Sequence, residues 1–325
     1  MTYDEAYKKF SELFENKLSE SEAKEFLVYL YEKGEEPDEI VAAATVMREH
    51  SIKLDIDKSL QDKLIDIVGT GGDKSGSFNI SSTVSLILAS LGSFVAKHGN
   101  RAITSNSGSA DMLEALGINL NLTPQNQLKM LEEVGFTFMF AQNHHPAMKY
   151  IMPIRKSLTH RTIFNILGPL TNPAGAKKYL LGVYSRELIN PITKALKGLD
   201  ATSAMVVSSR DGMDEISICD DTYASMLDGK EFLIIPEEFG LKKAKADEIK
   251  GADAKTNAKI TLDIFNSIER GAKRDIVLLN TASALIVDGK ARDFKDGIDM
   301  ARYALESKKV AEHLKKIVEV SQKLG

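Results

Sequence analysis

The feature that most constrains this chain is a β-rich run that ends in a glycine-rich turn and leads into a helix. The run covers residues 64–68 and the turn covers residues 69–73. After Asn79, a serine-rich start leads into a predicted helix at 84–91, and residues 94–97 predict a second strand. This order is typical of a parallel sheet, because two parallel strands need a crossover connection, usually a helix.

Later segments repeat this pattern. The apolar runs predict buried strands at 180–184, 204–208 and 275–279. Helical spacing of apolar residues predicts helices at 110–116, 189–199 and 282–286. The segment 242–259 is rich in Lys, Ala and Asp, which predicts an exposed loop or a frayed helix.

The first 60 or so residues show a different pattern, which is helical. Apolar residues at helical spacing predict one helix over 22–30 and another that opens at Pro37 and runs to Met47. We expect these stripes to serve packing or subunit contact, since apolar stripes at helical spacing are usually core.

Composition excludes several classes of protein. With 43% hydrophobic residues among 325, the chain can bury a sizeable core, so disorder is not its main state. A single cysteine, Cys219, excludes an internal disulfide framework, and we expect it to be a small buried strand residue. The net charge of −4 gives no generic attraction to nucleic acid.

Membrane and export signals are not expected either. The longest apolar run is broken by Ser85 and Ser90 and falls short of the roughly 20 residues that a span needs. The N-terminus is acidic and lacks the basic and apolar regions of a signal peptide. We therefore expect a cytoplasmic protein.

The glycine-rich turn at 69–73 is the first candidate site. Backbone N–H groups of such a turn, together with a following helix N-terminus, can bind a phosphate. The alternative is a flexible turn with a serine cap. Asp73 stands where a Walker A loop needs glycine, and Lys74 stands at the third glycine position of the dinucleotide fingerprint, so neither motif applies.

The second candidate site is the polar segment 97–111, which follows the second predicted strand. It contains Lys97, His98, Asn100 and Arg101. Loops at the carboxyl ends of neighbouring parallel strands face one crevice, so this loop and the glycine-rich turn are predicted to face one anionic ligand. The alternative is a solvated charged loop.

Two further clusters complete the candidates. His144 and His145 are adjacent, which does not suit zinc because neighbours on a helix point in different directions; a histidine against a substrate is favoured. Arg155 suits a carboxylate, although a structural ion pair is the alternative. Asp214 and Glu215 follow a predicted strand and suit Mg²⁺, acid–base work, or an ordinary acidic turn.

Taken together, these clusters resemble the anthranilate phosphoribosyltransferase family. The resemblance covers residues 36–300, and its motifs stand in the family's order. They are DIVGTGGD at 66–73, FNIS at 78–81, KHGNR at 97–101, SGSAD at 107–111, HHPAM at 144–148, RTIFNILGPL at 161–170 and DGMDEIS at 211–217.

The resemblance implies a fold and a reaction. The fold class is α/β, with a small all-helical domain and a large α/β domain around a mainly parallel central sheet. The small domain would comprise 1–62 and 145–170, the large one 63–144 and 171–325, and the N-terminal helices would form a homodimer interface. The reaction is a pentosyl transfer in tryptophan biosynthesis. It joins phosphoribosyl pyrophosphate (PRPP) and anthranilate into N-(5-phosphoribosyl)anthranilate and releases pyrophosphate.

The resemblance also implies a set of site residues. PRPP would be bound by residues of the first two clusters: Gly69, Gly72, Asp73, Ser77, Asn79, Ile80, Ser81, Ser82, Lys97, Asn100, Ser105 and Ser109. Two Mg²⁺ ions would be held by Ser81, Asp214 and Glu215. Anthranilate would contact Gly69, His98, Asn100, His145 and Arg155. Lys97 and His98 would act electrostatically, with no acid–base residue required because the attacking amine is already neutral at pH 7.

Two alternative functions remain at this point. The first is a pyrimidine nucleoside phosphorylase-like enzyme, which would also bind phosphate near a glycine-rich loop. The second is a noncatalytic nucleic-acid-binding relative on the same fold, which would show a basic stripe. Neither a nucleic-acid nor a membrane partner is expected for this chain.

Overall fold

The computed structural model describes residues 1–101 and 107–325. Its N-terminal part is helical, as expected from the sequence: α1 covers Tyr3–Phe14, α2 covers Glu20–Lys33 and α3 covers Pro37–Glu49. Thr2 and Ser19 cap α1 and α2 by accepting from the backbone N–H three residues ahead, which explains why these helices begin where they do.

One sheet dominates the rest of the described chain. It has seven strands within the described residues, in the order β3-β2-β1-β4-β5-β6-β7, and only β6 and β7 run antiparallel to their neighbours. The strands are β1 Leu64–Gly69, β2 Phe94–Gly99, β3 Phe136–Phe140, β4 Lys178–Gly182, β5 Ser203–Ser209, β6 Thr222–Met226 and β7 Glu231–Ile234.

Helices connect the strands and cover both faces of the sheet. They are α4 Lys58–Gln61, α5 Ile80–Ser90, α6 Ser109–Ala115, α7 Pro124–Val134, α8 Ala141–His144, α9 Met148–Ser157, α10 Phe164–Leu167, α11 Ile189–Gly198, α12 Ala254–Phe265, α13 Ala272–Asp288, α14 Phe294–Glu306 and α15 Lys309–Leu324. Short 3-10 helices lie at Gly168–Leu170, Arg186–Leu188, Pro236–Phe239 and Ala246–Ile249.

The sheet separates two cores. In β4, Leu180 packs into a core with α5, α13, α14 and α15, whereas Tyr179 and Leu181 pack into a core with α1, α2, α3 and α11. Side chains of one strand alternate between faces, so a strand buried on both sides reads as a continuous apolar run. The predicted α/β class, with a small helical part and a mainly parallel sheet, is confirmed.

The structure corrects several sequence-based predictions. Residues 275–279 are not a strand but part of α13, whose apolar side chains are buried on nearly every side; periodicity cannot tell such a helix from a buried strand. The second half of the segment 242–259 is not an exposed loop or a frayed helix. It contains the capped start of α12, whose first backbone N–H groups are bonded by Asp253. Strand β4 begins and ends two residues before the predicted 180–184. Cys219 lies partly exposed in a bend outside any strand.

Within the described part of the chain, no helix combines the length and the apolar character needed to cross a lipid bilayer.

Candidate active site

The candidate site lies where the strand order of the sheet reverses. From β1 the chain crosses to β2 on one side, whereas β4 pairs with β1 on the other side. In open parallel sheets, ligands bind outside the carboxyl ends of the strands at such a switch point. The loops that follow β1, β2 and β5 carry the glycine-rich turn, the polar segment and the acidic pair, whereas the histidine and arginine motifs lie between β3 and β4.

The glycine-rich turn after β1 is shaped for close contact with the acidic loop after β5. Gly71 and Gly72 have φ values of 70° and 74°, which favour glycine. The backbone N–H of Gly71 donates to Asp214 Oδ2 at 2.6 Å. A Cβ on Gly69 would lie 2.4 Å from the same oxygen. These glycines therefore let a carboxylate approach the backbone of the turn.

A second glycine, on the neighbouring strand, makes room for the same loop. Gly182 is the register partner of Gly69 across the β1–β4 pair. An added Cβ on Gly182 would lie 1.6 Å from the carbonyl oxygen of Asp214. The acidic loop thus sits directly on the ends of two strands, and larger residues at either glycine would displace it.

The acidic loop is also held from behind by α13, a contact that the sequence analysis missed. The buried side chain of Asn280 accepts from Ile216 N–H at 3.1 Å and donates to Ile216 O at 2.7 Å. One amide thus pairs with both polar groups of the residue next to Glu215. Asn280 falls between the predicted strand at 275–279 and the predicted helix at 282–286, and no local pattern indicates its pairing with Ile216.

Burial gives the acidic pair unusual proton affinities. Desolvation, followed by the nearby charge of Asp73, raises the pKa of Asp214 to about 7. Desolvation and the charge of Asp214 raise the pKa of Glu215 to about 8, although Lys97 opposes this shift. Negative charge is therefore crowded at this edge of the sheet, which is the environment a divalent cation neutralises.

Lys97 lies beneath the turn and is 2% exposed. Its Nζ donates to the carbonyl of Ile67 at 2.7 Å and to Ser81 Oγ at 3.2 Å. Burial lowers the pKa of Lys97, while the charges of Asp66 and Glu215 oppose that shift. Lys97 therefore joins the end of β1, the start of α5 and the acidic pair, as the sequence analysis predicted for two facing loops.

The start of α5 supplies hydroxyl and amide groups. Ser82 Oγ is buried and has no hydrogen-bond partner among the described residues. Ser75 Oγ donates to Ser77 Oγ at 3.2 Å, and the backbone N–H of Ser75 donates to Asp73 Oδ1. The backbone of Ile80 opens the helix. These groups occupy the position expected for the phosphate-binding loop.

The polar segment after β2 is described in part. Ser109 Oγ donates to the carbonyl of Asn100 at 3.1 Å, and a Cβ on Gly99 would lie 2.4 Å from that hydroxyl. Ser105 was predicted as a ligand residue and lies outside the described residues. Arg101 forms salt bridges with Asp111 and Glu114.

A buried histidine pair borders the same region. The rings of His98 and His145 have centroids 5.2 Å apart. His98 Nε2 and both ring nitrogens of His145 are buried without a hydrogen-bond partner among the described residues. Burial lowers the pKa of His145 to about 4 and that of His98 well below its usual range, so both are neutral at pH 7. His144 points elsewhere, with Nδ1 2.6 Å from Ile52 O.

Arg155 and Arg161, which follow the histidine pair in the sequence, have different surroundings. Arg161 donates to the carbonyl of Gly72 at 2.9 Å and stacks on the ring of Tyr184, which links the segment before α10 to the glycine-rich turn. Arg155 lies on α9 over the ring of Phe164, and no acidic side chain pairs with it within the described ranges. Burial lowers the pKa of Arg155 from its usual value.

The predicted clusters are therefore largely brought together. A direct hydrogen bond joins the glycine-rich turn to the acidic loop, Lys97 bonds to Ser81 at the start of α5, and the ring of His98 lies beside that of His145. Arg155 touches none of the other predicted site residues through a described hydrogen bond or ring contact. No group of three His, Cys, Asp or Glu side chains suited to a metal lies in the described ranges.

Comparisons with known proteins place this geometry in a family. Family models match residues 61–310 as "Glycosyl transferase family, a/b domain" and residues 1–51 as "Glycosyl transferase family, helical bundle domain". The anthranilate phosphoribosyltransferase of Methanobrevibacter smithii is 44% identical over 97% of this chain and 93% of its own length. The chain belongs to the anthranilate phosphoribosyltransferase family. It is therefore related to pentosyltransferases of the glycosyltransferase class.

Solved structures agree with this assignment to the anthranilate phosphoribosyltransferase family. The crystal structure of the Thermus thermophilus enzyme matches with a TM-score of 0.94 and 39% identity, over 99% of this chain and 96% of that one. The Saccharomyces cerevisiae enzyme in complex with PRPP and Mg matches with a TM-score of 0.87 and 28% identity, over 94% and 86%. The resemblance stated from the motifs is confirmed, in preference to the nucleoside phosphorylase and the noncatalytic alternatives.

Proposed function

We propose that this chain transfers the phosphoribosyl group of PRPP to the amine of anthranilate, as its relatives' names state for them. The products are N-(5-phosphoribosyl)anthranilate, an intermediate of tryptophan biosynthesis, and pyrophosphate. The observation that carries the proposal is the contact of Asp214 with the glycine-rich turn, because it joins an anion-binding backbone to a cation-binding carboxylate.

PRPP would be bound along the turn and the start of α5. A ligand with several negative charges needs N–H donors, hydroxyls and a fixed cation, and the turn, Ser81, Ser82 and Lys97 supply them. The full proposed set is Gly69, Gly72, Asp73, Ser77, Asn79, Ile80, Ser81, Ser82, Lys97, Asn100, Ser105 and Ser109.

Mg²⁺ is the proposed cofactor, with two ions in each site. Ser81, Asp214 and Glu215 are its proposed protein ligands, and their oxygens are of the hard type that Mg²⁺ takes. The raised pKa values of Asp214 and Glu215 reflect crowded negative charge that such a cation would relieve. When bound, Mg²⁺ would stabilise the negative charge that develops on the pyrophosphate leaving group.

Anthranilate would lie beside the histidine pair. His98 and His145 offer unpartnered ring nitrogens, and Arg155 offers a cation without an acidic partner among the described residues. Gly69 and Asn100 would complete this side. A guanidinium suits the carboxylate of anthranilate, whereas the neutral histidines suit hydrogen bonding to its polar groups.

The reaction would need positioning more than proton transfer. The bond from ribose C1 to the pyrophosphate oxygen breaks while the amine nitrogen attacks that carbon. Its proton leaves from the resulting ammonium group, which is acidic enough to need no dedicated base. Lys97, buried between Ile67 O and Ser81 Oγ, holds a positive charge near the leaving group. Orientation and charge stabilisation would therefore supply most of the rate.

The proposal includes a domain division, a dimer and a location. The small domain would comprise 1–62 and 145–170, since α9 and α10 share a core with α1–α3; the large domain would comprise the rest. The N-terminal helices would pair two chains as a homodimer, and sedimentation at micromolar concentration tests this. The cytoplasmic setting follows the sequence-based expectation, and cell fractionation tests it.

Loss of anthranilate fluorescence tests the function directly. With purified chain, PRPP and Mg²⁺, we expect fluorescence to fall with time, and we expect no change when EDTA replaces Mg²⁺. A parallel sample with uridine and inorganic phosphate measures the nucleoside phosphorylase alternative. A folded sample that turns over uridine but not anthranilate would contradict the proposal.

A further inference from the structure

The loop between β1 and α5, residues 70–79, would bind the PRPP donor and is called the donor loop. Behind it lies part of the segment 242–259, which was predicted to be exposed. Residues 249–251 run antiparallel to residues 76–78 of the loop. Phe78 N–H donates to Ile249 O at 3.3 Å, and Gly251 N–H donates to Gly76 O at 2.9 Å. A second segment that is remote in sequence, residues 249–251, therefore lines the loop that carries Ser77.

The helix that follows this segment presents a buried amide to the loop. Asn257 is 2% exposed and lies in the first turn of α12. Its Oδ1 accepts from the backbone N–H of Ala252 at 2.8 Å, and its Nδ2 donates to Asn79 Oδ1 at 2.9 Å. Gly251 is needed here, because a Cβ would lie 2.7 Å from Asn257 Oδ1 and 2.6 Å from Phe78 Cα.

These hydrogen bonds determine which partners the oxygen and the nitrogen of each side-chain amide face, for Asn257 and for Asn79. A backbone N–H can only donate, so Ala252 requires the oxygen of Asn257 on its side. The nitrogen of Asn257 then faces Asn79 and requires an oxygen there. The nitrogen of Asn79 is thereby directed to Ser107 O, at 3.2 Å, at the edge of the polar segment after β2. Asn79 Oδ1 also accepts from Ser107 Oγ at 3.2 Å, so Asn257 and Ser107 together set the orientation of an amide at the donor site.

A neighbouring contact between the same two helices has no such consequence. Thr261 lies one turn after Asn257 on the same face of α12, and its hydroxyl is 2.8 Å from that of Thr83 in α5. This pair is buried and joins α12 to α5, but it does not touch the side chain of Asn79. Thr261 therefore offers a matched control for loss of a buried polar contact between these helices.

We propose that Asn257 is a positioning residue that orients Asn79 and the donor loop for PRPP. The inference rests on the proposed function, because it assigns Asn257 to the donor half of that site. Without the amide of Asn257, the side chain of Asn79 keeps its bonds to Ser107 but loses the one that ties it to α12, so Asn79 is held less firmly. Ground-state binding of PRPP then weakens, while the anthranilate side keeps its contacts.

Steady-state kinetics of three variants test this inference. For Asn257→Ala we expect the KM for PRPP to rise about tenfold, as loss of one buried hydrogen bond allows, with the KM for anthranilate changed less than twofold. Asn257→Asp keeps the acceptor for Ala252 but loses the donor to Asn79, so we expect it to behave like Asn257→Ala. Thr261→Val should leave both KM values near those of the parent.

Hydrogen–deuterium exchange of the peptide that covers residues 69–82 gives a readout independent of turnover. We expect faster exchange in both Asn257 variants and parent-like exchange in Thr261→Val at matched thermal stability. If Asn257→Asp retains the parent's PRPP KM, or if Thr261→Val shifts the same parameters, the positioning role is wrong. An inactive parent would contradict the proposed function alone, because the exchange experiment would still decide the role of Asn257.

Discussion

The candidate site has two sides, and they are built differently. The donor side, where PRPP would bind, comprises the glycine-rich turn, the start of α5, Lys97 and the acidic pair. The acceptor side, where anthranilate would bind, comprises His98, His145 and Arg155.

On the donor side, polar groups are already paired inside the protein: Gly71 N–H with Asp214, and Asn79 with Asn257. On the acceptor side, three ring nitrogens of His98 and His145 are buried without a partner among the described residues. The donor side therefore holds several pairs that are already formed, although Ser82 Oγ has no partner among the described residues, whereas under the proposed function the ring nitrogens of the acceptor side would be met by a ligand.

The electrostatics of the two sides also differ in direction. Burial raises the pKa values of Asp214 and Glu215 on the donor side, because their charged forms are desolvated close to each other. Burial lowers the pKa values of His98 and His145 on the acceptor side, which keeps them neutral. Under the proposed function, the first side would hold Mg²⁺ and the second would hold anthranilate.

The largest expected effect removes the charge of the donor side. For the double change Asp214→Ala, Glu215→Ala, we expect turnover to fall by about 1000-fold, since electrostatic stabilisation of the leaving group is lost. Turnover measured over a range of Mg²⁺ concentrations checks this. Asp220→Ala, in the same loop, should keep near-parent turnover; an equal loss in both would show that the loop's fold matters rather than its acidic pair.

A smaller and more selective effect is expected on the acceptor side. For Arg155→Ala, we expect the KM for anthranilate to rise roughly 10- to 100-fold, because a charge-assisted contact to a carboxylate is removed. The KM for PRPP should change little. Arg155→Lys keeps the charge but loses the planar fork, so an intermediate value is expected. Equal effects on both substrates would mean that the two sides are not separable.

The smallest effect concerns stability in acid. The usual imidazole pKa is about 6.5, and that of His145 is lowered to about 4. Between these values His145 binds more protons in the unfolded chain than in the folded one, so its own contribution to the free energy of unfolding falls as the pH falls from 7 towards 4. For His145→Gln, we expect the free energy of unfolding to lose about 2 kcal/mol less than that of the parent between pH 7.5 and pH 5. Urea unfolding at pH 7.5 and pH 5 checks this, and parallel losses in parent and variant would contradict it.

Much of the site was predictable because its residues follow strands. The glycine-rich turn and the Asp214–Glu215 pair come after runs that predict strands, Lys97 ends such a run, and parallel strands end at one edge. The supporting residues were not predictable in this way. Asn280 and Asn257 lie on helices remote in sequence, and nothing in their local pattern indicates that their amides face the site.

Local ambiguity explains the wrong secondary-structure predictions. Residues 275–279 form a short apolar run that suits a buried strand and a buried helix equally, and only the packing of α13 against α5 and the sheet decides between them. The polar start of α12 looked like solvent-exposed chain, but its buried face carries Asn257 and Thr261, whose polar groups are paired across the interface with α5.

The sequence by itself determined the α/β class, the anion-binding turn, the acidic pair and the family, because these depend on residue type and on order along the chain. Only the tertiary structure decided that Gly182 admits the acidic loop, that Asn257 and Asn280 bond to residues of the donor side, and that three ring nitrogens of His98 and His145 have no partner among the described residues. The physical reason is that these properties depend on distances between segments far apart in sequence, which close packing sets and local patterns do not encode.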